Sequence, residues 1–177
     1  MAILDILTAP DPILKKISEP VSEVTDEVRN FLHDLVDTMD SDNGVGLAAI
    51  QVGVPQQILV VDLKEDDDES QNRPEGFFPL FIVNPVITWA SEEYNAATEA
   101  CLSVPSLIIE VSRPASIKLQ YLNYHGEPSE LSADGWLARV IQHEMDHLKG
   151  TLIIDYLSIL KKDLALTKLK KFKKHSL

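Results

Sequence analysis

The chain has 177 residues, of which 45% are apolar and 25% are charged, and this size and composition suit one globular domain with a sizeable core. They exclude collagen-like, low-complexity and disulfide-stapled proteins, and no apolar run is long enough to span a bilayer. We therefore expect a single domain over residues 1–177 with no membrane partner. The segment Met1–Asp5 lacks the pattern of a signal peptide and Cys101 is the single cysteine, so we expect a cytoplasmic location. We also expect a monomer.

The charge is distributed unevenly along the chain. The net charge is −12, but residues 1–160 carry −18 and residues 161–177 carry +6. An acidic body argues against binding nucleic acid over a broad face, because phosphates require a positive surface. We predict that residues 161–177 form a basic C-terminal helical tail that follows a cap at Ser158. This tail is either a solvated helix face with a frayed end or a surface that docks on ribosomal RNA.

Two segments have the spacing of amphipathic helices. The first runs from Thr25, which can cap it, to about Asp42, and its apolar residues recur at intervals of three and four: Val28, Phe31, Leu32, Leu35, Val36 and Met39. The second runs from Gly135 to about Lys149, with Gly150 placed as a C-terminal cap.

Four stretches between these helices are typical of strands: Gln57–Leu63, Phe77–Thr88, Ser106–Arg113 and Ser116–Asn123. The acidic run 65–69 between the first two indicates a solvated loop. Helices and strands are segregated rather than alternating. We therefore predict an α+β fold of mainly antiparallel strands around a central helix, with an N-terminal helix and a basic C-terminal helix.

The strongest chemical motif is the sequence His-Glu-x-x-His at His143–His147. Residues four apart on a helix lie one turn above each other, so both imidazoles can reach a single metal ion. Glu144 points about 100° away from His143, near enough to exchange a proton with a water at that ion. The alternative is a helix with two surface histidines.

Two histidines leave such a site incomplete, because a catalytic zinc-type site usually has three protein ligands and one open position. Metzincin proteases add a third histidine, but Ile153 occupies that position here. Other zincins add a downstream glutamate, and no glutamate follows Glu144. Both metalloprotease patterns are therefore excluded.

Cys101 is the best candidate for the third ligand, because a thiolate binds first-row metals tightly. Two alternatives remain: a small buried residue, or a nucleophile paired with a histidine. The remaining histidines are interpreted as solvated: His33, His125 and His175.

The segment Gly44–Gln51 is rich in glycine and alanine. It lacks the Lys-Ser/Thr of a P-loop and follows a helix rather than a strand, so it does not indicate phosphate or dinucleotide binding. Its small residues allow close backbone approach, and the Gln51 amide can donate to an oxyanion. A tight packing turn is the alternative.

Three segments taken together, in this order, resemble the three motifs of the peptide deformylases: Gly44–Gln51, Glu99–Ser103 and Gln142–His147. The similarity extends over nearly the whole chain, including 13–21, Asn84-Pro85, 133–135 and 155–157. The resemblance implies a hydrolase that removes the formyl group from N-formylmethionine of nascent polypeptides and releases formate.

The resemblance also implies one divalent ion per chain, bound by Cys101, His143 and His147. Ferrous iron is common in the family, and zinc, nickel or cobalt can occupy the site. Glu144 would then carry the proton from water to the leaving amine.

The remaining implied roles concern the substrate. The Gln51 side chain and the Leu102 backbone N–H would stabilise the oxyanion. The implied substrate-binding residues are Gly44, Val45, Gly46, Ala100, Arg139 and Val140.

Two of these residues depart from the family pattern, which has glycine at Ala100 and an apolar residue at Arg139. Arg139 shares a helix face with His143, and a buried guanidinium must be paired or reach water. We expect its aliphatic stem to form part of the pocket wall while its head reaches solvent; the alternative is an arginine turned away from the substrate. Two other functions stay open: a cysteine hydrolase that uses Cys101 as the nucleophile, and a catalytically weak homologue that binds formyl peptides or ribosomes.

Overall fold

Three helices and seven strands make up the computed structural model, which describes residues 2–64 and 73–175. The predicted acidic loop 65–69 lies outside the described residues. The helices are α1 (Asp26–Ser41), α2 (Gly135–Leu148) and α3 (Ile159–His175), and short 3-10 turns occur at Pro12–Lys15, Ala49–Val52 and Ile153–Tyr156.

The helix ends are set by the residues that the sequence indicates. The Thr25 hydroxyl accepts a hydrogen bond from the Val28 N–H at 3.3 Å and caps α1. Gly150 follows α2 with φ 75°, the left-handed conformation that glycine adopts most easily. At α3 the Ser158 hydroxyl accepts from the Lys161 N–H at 3.3 Å. All three predicted helices are therefore confirmed.

The strands are β1 (Gly46–Ala48), β2 (Ile58–Val61), β3 (Leu80–Ala90), β4 (Tyr94–Cys101), β5 (Val104–Pro114), β6 (Ser116–Leu122) and β7 (Pro128–Asp134). Five of them form a sheet in the order β1-β2-β3-β6-β7, and β4 and β5 form a separate two-stranded hairpin. Every neighbouring pair is antiparallel. The predicted α+β class is confirmed.

Three of the observed strands were not predicted: β1, β4 and β7. They are rich in glycine, alanine, serine and acidic residues, which have weak strand preference. Their pairing with β2, β5 and β6 holds them in the extended conformation.

Helix α2 is the most buried of the three described helices, and it has an apolar face and a polar face. Its apolar residues pack on the five-stranded sheet in one core cluster that includes Leu137, Ile141 and Leu148. Its polar residues face the β4–β5 hairpin, through Arg139 and His143 among others. This placement brings the His-Glu-x-x-His motif into the interior, between the sheet and the hairpin.

Within the described ranges, no helix has both the length and the apolar character needed to cross a membrane.

The end of α2 provides a test of the backbone geometry. A Cβ at Gly150 would overlap the carbonyl oxygen of Lys15, whereas a Cβ at Gly76, which has nearly the same φ of 76°, would meet no described atom within 4 Å. We expect Gly76→Ala to lower the free energy of unfolding by about 1–2 kcal/mol, because an alanine disfavours this positive φ and meets no steric overlap with described atoms. Gly150→Ala should cost a further 1–3 kcal/mol, roughly, through overpacking. Urea denaturation measures both, and equal losses would contradict the close approach.

Candidate active site and metal centre

Cys101, His143 and His147 come together although they belong to two different elements. Cys101 lies at the end of β4, and the two histidines lie one turn apart on α2 with their ring centroids 5.2 Å apart. One potential ligand atom from each residue lies within 4.8 Å of the others, and Cys101 Sγ is 3.5 Å from His147 Nε2. A thiolate and two imidazoles this close suit a single first-row metal ion.

The hydrogen bond of His143 and the burial of His147 also suit metal binding. The His143 Nδ1–H donates to Glu99 Oε1 at 2.8 Å, which leaves Nε2 as the ligand atom. Burial, and then the nearby His143, hold the pKa of His147 well below its usual value. His147 is therefore neutral, the form in which imidazole binds a metal.

Glu99 is the centre of a buried ionic cluster. Its carboxylate accepts hydrogen bonds from Arg113 Nε at 2.7 Å, Arg113 Nη2 at 2.9 Å, Arg139 Nη1 at 2.6 Å and the His143 ring. Burial alone would raise the pKa of Glu99, but its hydrogen bonds to Arg113 and His143 lower it to about 2. Glu99 is thus permanently ionised.

Glu144 is a second buried carboxylate, and its pKa is raised where that of Glu99 is lowered. Only 3% of it is exposed, and its Oε2 has no hydrogen-bond partner in the part of the chain that the structure describes. Burial raises the pKa of Glu144 to about 7, against the lowering effects of His143 and Arg113. A carboxylate with this pKa can both accept and donate a proton near neutrality.

The backbone of β1 lies against Glu144. A Cβ at Gly46 would come within 2.9 Å of Glu144 Cγ and 3.0 Å of Val140 Cγ1, so only glycine fits there without a shift. The glycine-rich segment is therefore both a packing element and a wall of the site.

Gln51 is 1% exposed and its amide is held at both ends. Its Oε1 accepts from the Ala48 N–H at 2.9 Å, while its Nε2 donates to Ser103 Oγ at 3.0 Å and lies 3.7 Å from Cys101 Sγ. The amide nitrogen is thus directed towards the ligand cluster, where it can donate to a substrate oxygen.

A cavity of about 410 Å³ joins these groups, a volume typical of small-ligand sites. Eleven of the twelve predicted site residues line it, all except His147: Gly44, Val45, Gly46, Gln51, Ala100, Cys101, Leu102, Arg139, Val140, His143 and Glu144. The sequence analysis missed seven lining residues: Asn43, Glu99, Val104, Pro105, Ser106, Leu107 and Trp136. Trp136 lies three residues before Arg139, so helical spacing could have identified it.

The expectation for the Arg139 head is wrong. The guanidinium does not reach solvent: the residue is 6% exposed and donates to Glu99 and to the carbonyl oxygens of Val111 and Asn95. A buried carboxylate and two backbone acceptors replace water as its partners. Arg139 nevertheless lines the cavity, as expected.

The structure also tests two of the histidines interpreted as solvated. His125 is exposed in a turn, as predicted. His33 is half-buried: its Nε2 lies 3.0 Å from the Tyr124 hydroxyl, and its ring packs edge-on against Phe81. The side chain of His175 lies outside the described residues.

A cysteine and two histidines beside a buried carboxylate, next to a largely apolar cavity, are the arrangement of a metal-dependent hydrolase. The sequence model of the family "Polypeptide deformylase" matches residues 3–163. The chain belongs to this family, and it is an enzyme that hydrolyses N-formyl groups.

Individual relatives agree over nearly their whole lengths. The peptide deformylase of Rickettsia akari (strain Hartford) is 57% identical over 173 residues, which cover 98% of each chain. The crystal structure of the Ehrlichia chaffeensis peptide deformylase in complex with actinonin has a TM-score of 0.89 and 42% identity, and the match covers 97% of this chain and 98% of that one. The Legionella pneumophila peptide deformylase has a TM-score of 0.87 and 38% identity, with 99% and 98% covered.

The ligand assignment predicts the metal content of variants. Purified protein should hold close to one divalent ion per chain, and Cys101→Ala should lose most of it because a thiolate is the tightest of the three ligands. The matched control is His125→Ala, which removes an exposed turn residue and should leave the content unchanged. Elemental analysis after dialysis measures both, and full metal content in Cys101→Ala would contradict the assignment.

Proposed function

We propose that Cys101, His143 and His147 hold the catalytic metal of this deformylase and that its substrates are nascent chains that begin with N-formylmethionine. The observation that carries this proposal is the convergence of three ligand atoms within 4.8 Å of one another, next to a cavity that Cys101, His143 and Glu144 line. A divalent ion bound there supplies a Lewis acid, which acidifies water and polarises the formyl oxygen. The donor set suits ferrous iron, our proposed native metal, and also zinc, nickel or cobalt.

Glu144 is the proposed proton carrier. Its carboxylate takes a proton from the attacking water, and the water oxygen forms a bond to the formyl carbon. When the C–N bond breaks, Glu144 returns a proton to the leaving amine. Formyl peptide and water thus become formate and a free amine.

Two donors are proposed for the oxyanion that forms during attack. The Gln51 Nε2 is held by Ser103 on the side of the cavity, and the Leu102 N–H belongs to the turn between β4 and β5. Loss of one such donor typically costs about 3–4 kcal/mol of transition-state stabilisation.

The rest of the cavity is proposed to bind the substrate. Gly44, Val45, Gly46 and Ala100 would lie along the peptide backbone, where the Ala100 methyl replaces the hydrogen of a glycine. Val140 and the stem of Arg139 would form one wall for the methionine side chain.

Replacement of Glu144 distinguishes two possible roles of this residue, proton carrier and metal ligand. Glu144→Ala should keep the metal and lose about 10²–10⁴-fold in kcat, because the proton carrier is removed while the three ligands remain. The comparison variant is His147→Ala, which should lose metal and activity together. If Glu144→Ala lost as much metal as His147→Ala, Glu144 would be a ligand instead.

We further propose that the basic helix α3 docks on ribosomal RNA. Seven lysines lie along residues 161–177. The helix is anchored rather than frayed over its central part, because Ala165 and Leu169 are buried in a core cluster with Val111 of β5. A cationic helix fixed on the protein surface gains affinity for RNA, because its lysines displace counterions from the phosphates.

Substitution of lysines tests docking without removing the buried residues of α3. The triple change to serine of Lys170, Lys171 and Lys174, all exposed, should leave turnover of a formylated tripeptide within twofold and weaken co-sedimentation with ribosomes at low salt.

The matched control changes three exposed lysines elsewhere to serine: Lys16, Lys118 and Lys149. If both triple variants lose co-sedimentation equally, or neither loses it, α3 is not the docking surface.

A further inference from the structure

Helix α2 turns a polar stripe towards the β4–β5 hairpin. The stripe consists of Arg139, Gln142, His143 and Asp146, spaced at i, i+3, i+4 and i+7. This spacing normally carries the apolar residues that pack a helix on its neighbour. Here the first three residues are polar and still buried.

Each residue of the stripe bonds to the hairpin. The Gln142 amide donates to the Pro114 carbonyl at 3.0 Å, His143 donates to Glu99, and Asp146 accepts from Arg113 Nη1 at 2.8 Å. Polar contacts therefore run along the whole helix–hairpin interface.

Arg139 makes the most connections in this stripe. Its Nη1 donates to Glu99 Oε2 at 2.6 Å and to the Val111 carbonyl at 2.8 Å, and its Nη2 donates to the Asn95 carbonyl at 2.7 Å. Asn95 and Glu99 lie on β4 and Val111 lies on β5, so one guanidinium joins both strands to α2.

The position of the hairpin matters because it carries Cys101 whereas α2 carries His143 and His147. Within the described residues the hairpin is a two-stranded sheet of its own, paired with no strand of the larger sheet. Apolar packing is non-directional and tolerates small sliding, but hydrogen bonds at 2.6–2.8 Å fix distance and direction.

We propose that Arg139 is a positioning residue that fixes Cys101 relative to His143 and His147 by tying the hairpin to α2. This inference rests on the proposed metal site. Without the guanidinium, the carbonyl oxygens of Val111 and Asn95 lose one donor each. Among the described residues, Arg113 is then the only arginine left on Glu99. The hairpin can then shift, and the three ligand atoms no longer meet at their native separations.

Cobalt(II) tests this geometry directly, because its visible and near-ultraviolet absorption bands report coordination geometry and thiolate ligation. Arg139→Leu should retain its circular dichroism, bind cobalt at least tenfold more weakly, and show displaced or weakened thiolate-to-cobalt bands. The matched control is Arg29→Leu, the same change at an arginine of α1 that pairs with Asp26. It should leave both affinity and spectrum unchanged.

A parental spectrum and an affinity within twofold in folded Arg139→Leu would overturn the positioning role, even if that variant unfolded more easily. If Arg139→Leu does not fold, the variant to measure is Arg139→Gln, because its shorter amide cannot bridge all three acceptors. Its cobalt affinity and its thiolate-to-cobalt bands then decide in the same way. Absence of a thiolate-to-cobalt band in the parent protein would instead reject the proposed metal site itself.

Discussion

The site depends on one buried carboxylate, that of Glu99, which accepts four hydrogen bonds from Arg113, Arg139 and His143. These bonds occupy the lone pairs that a carboxylate offers, so its burial is compensated in full. They also connect the strand that ends in Cys101 to the helix that carries both histidines. Removal of the Glu99 carboxylate would leave the buried Arg139 guanidinium without its ionic partner, which is more costly than the pair itself is stabilising.

Glu99 and Glu144 show how one site keeps two carboxylates in different states. Hydrogen bonds to Arg113 and His143 lower the pKa of Glu99 to about 2, while burial raises the pKa of Glu144 to about 7. Pairs of titratable groups whose environments separate their pKa values indicate a division of roles. Glu99 is ionised near neutral pH and orients the His143 ring, and Glu144 remains able to carry a proton beside the cavity.

Local patterns in the sequence predict some parts of this arrangement and miss others. The 3.6-residue periodicity predicts α1 and α2 and places His143 and His147 on one face, because helical contacts are local. The same reasoning misses Glu99, whose partners Arg113 and Arg139 lie 14 and 40 residues away in the chain. The expectation that the Arg139 head reaches water is wrong for a similar reason, because its acceptors on Glu99, Val111 and Asn95 are distant in the chain. Strand β4 is not predicted either, because its alanines have weak strand preference. Its extended conformation depends on pairing with β5, which local sequence does not indicate.

The measurement that tests the account most directly is formate release from formyl-Met-Ala-Ser, before and after removal of metal by a strong chelator and after readdition of ferrous iron. We expect turnover in the untreated protein, its loss with the chelator and its recovery with iron, since the ion supplies the Lewis acid that the reaction needs. Full turnover in the metal-depleted protein would contradict the account and favour Cys101 as a nucleophile. No turnover in the metal-loaded protein would also contradict it, and would leave a module that binds formyl peptides without hydrolysing them.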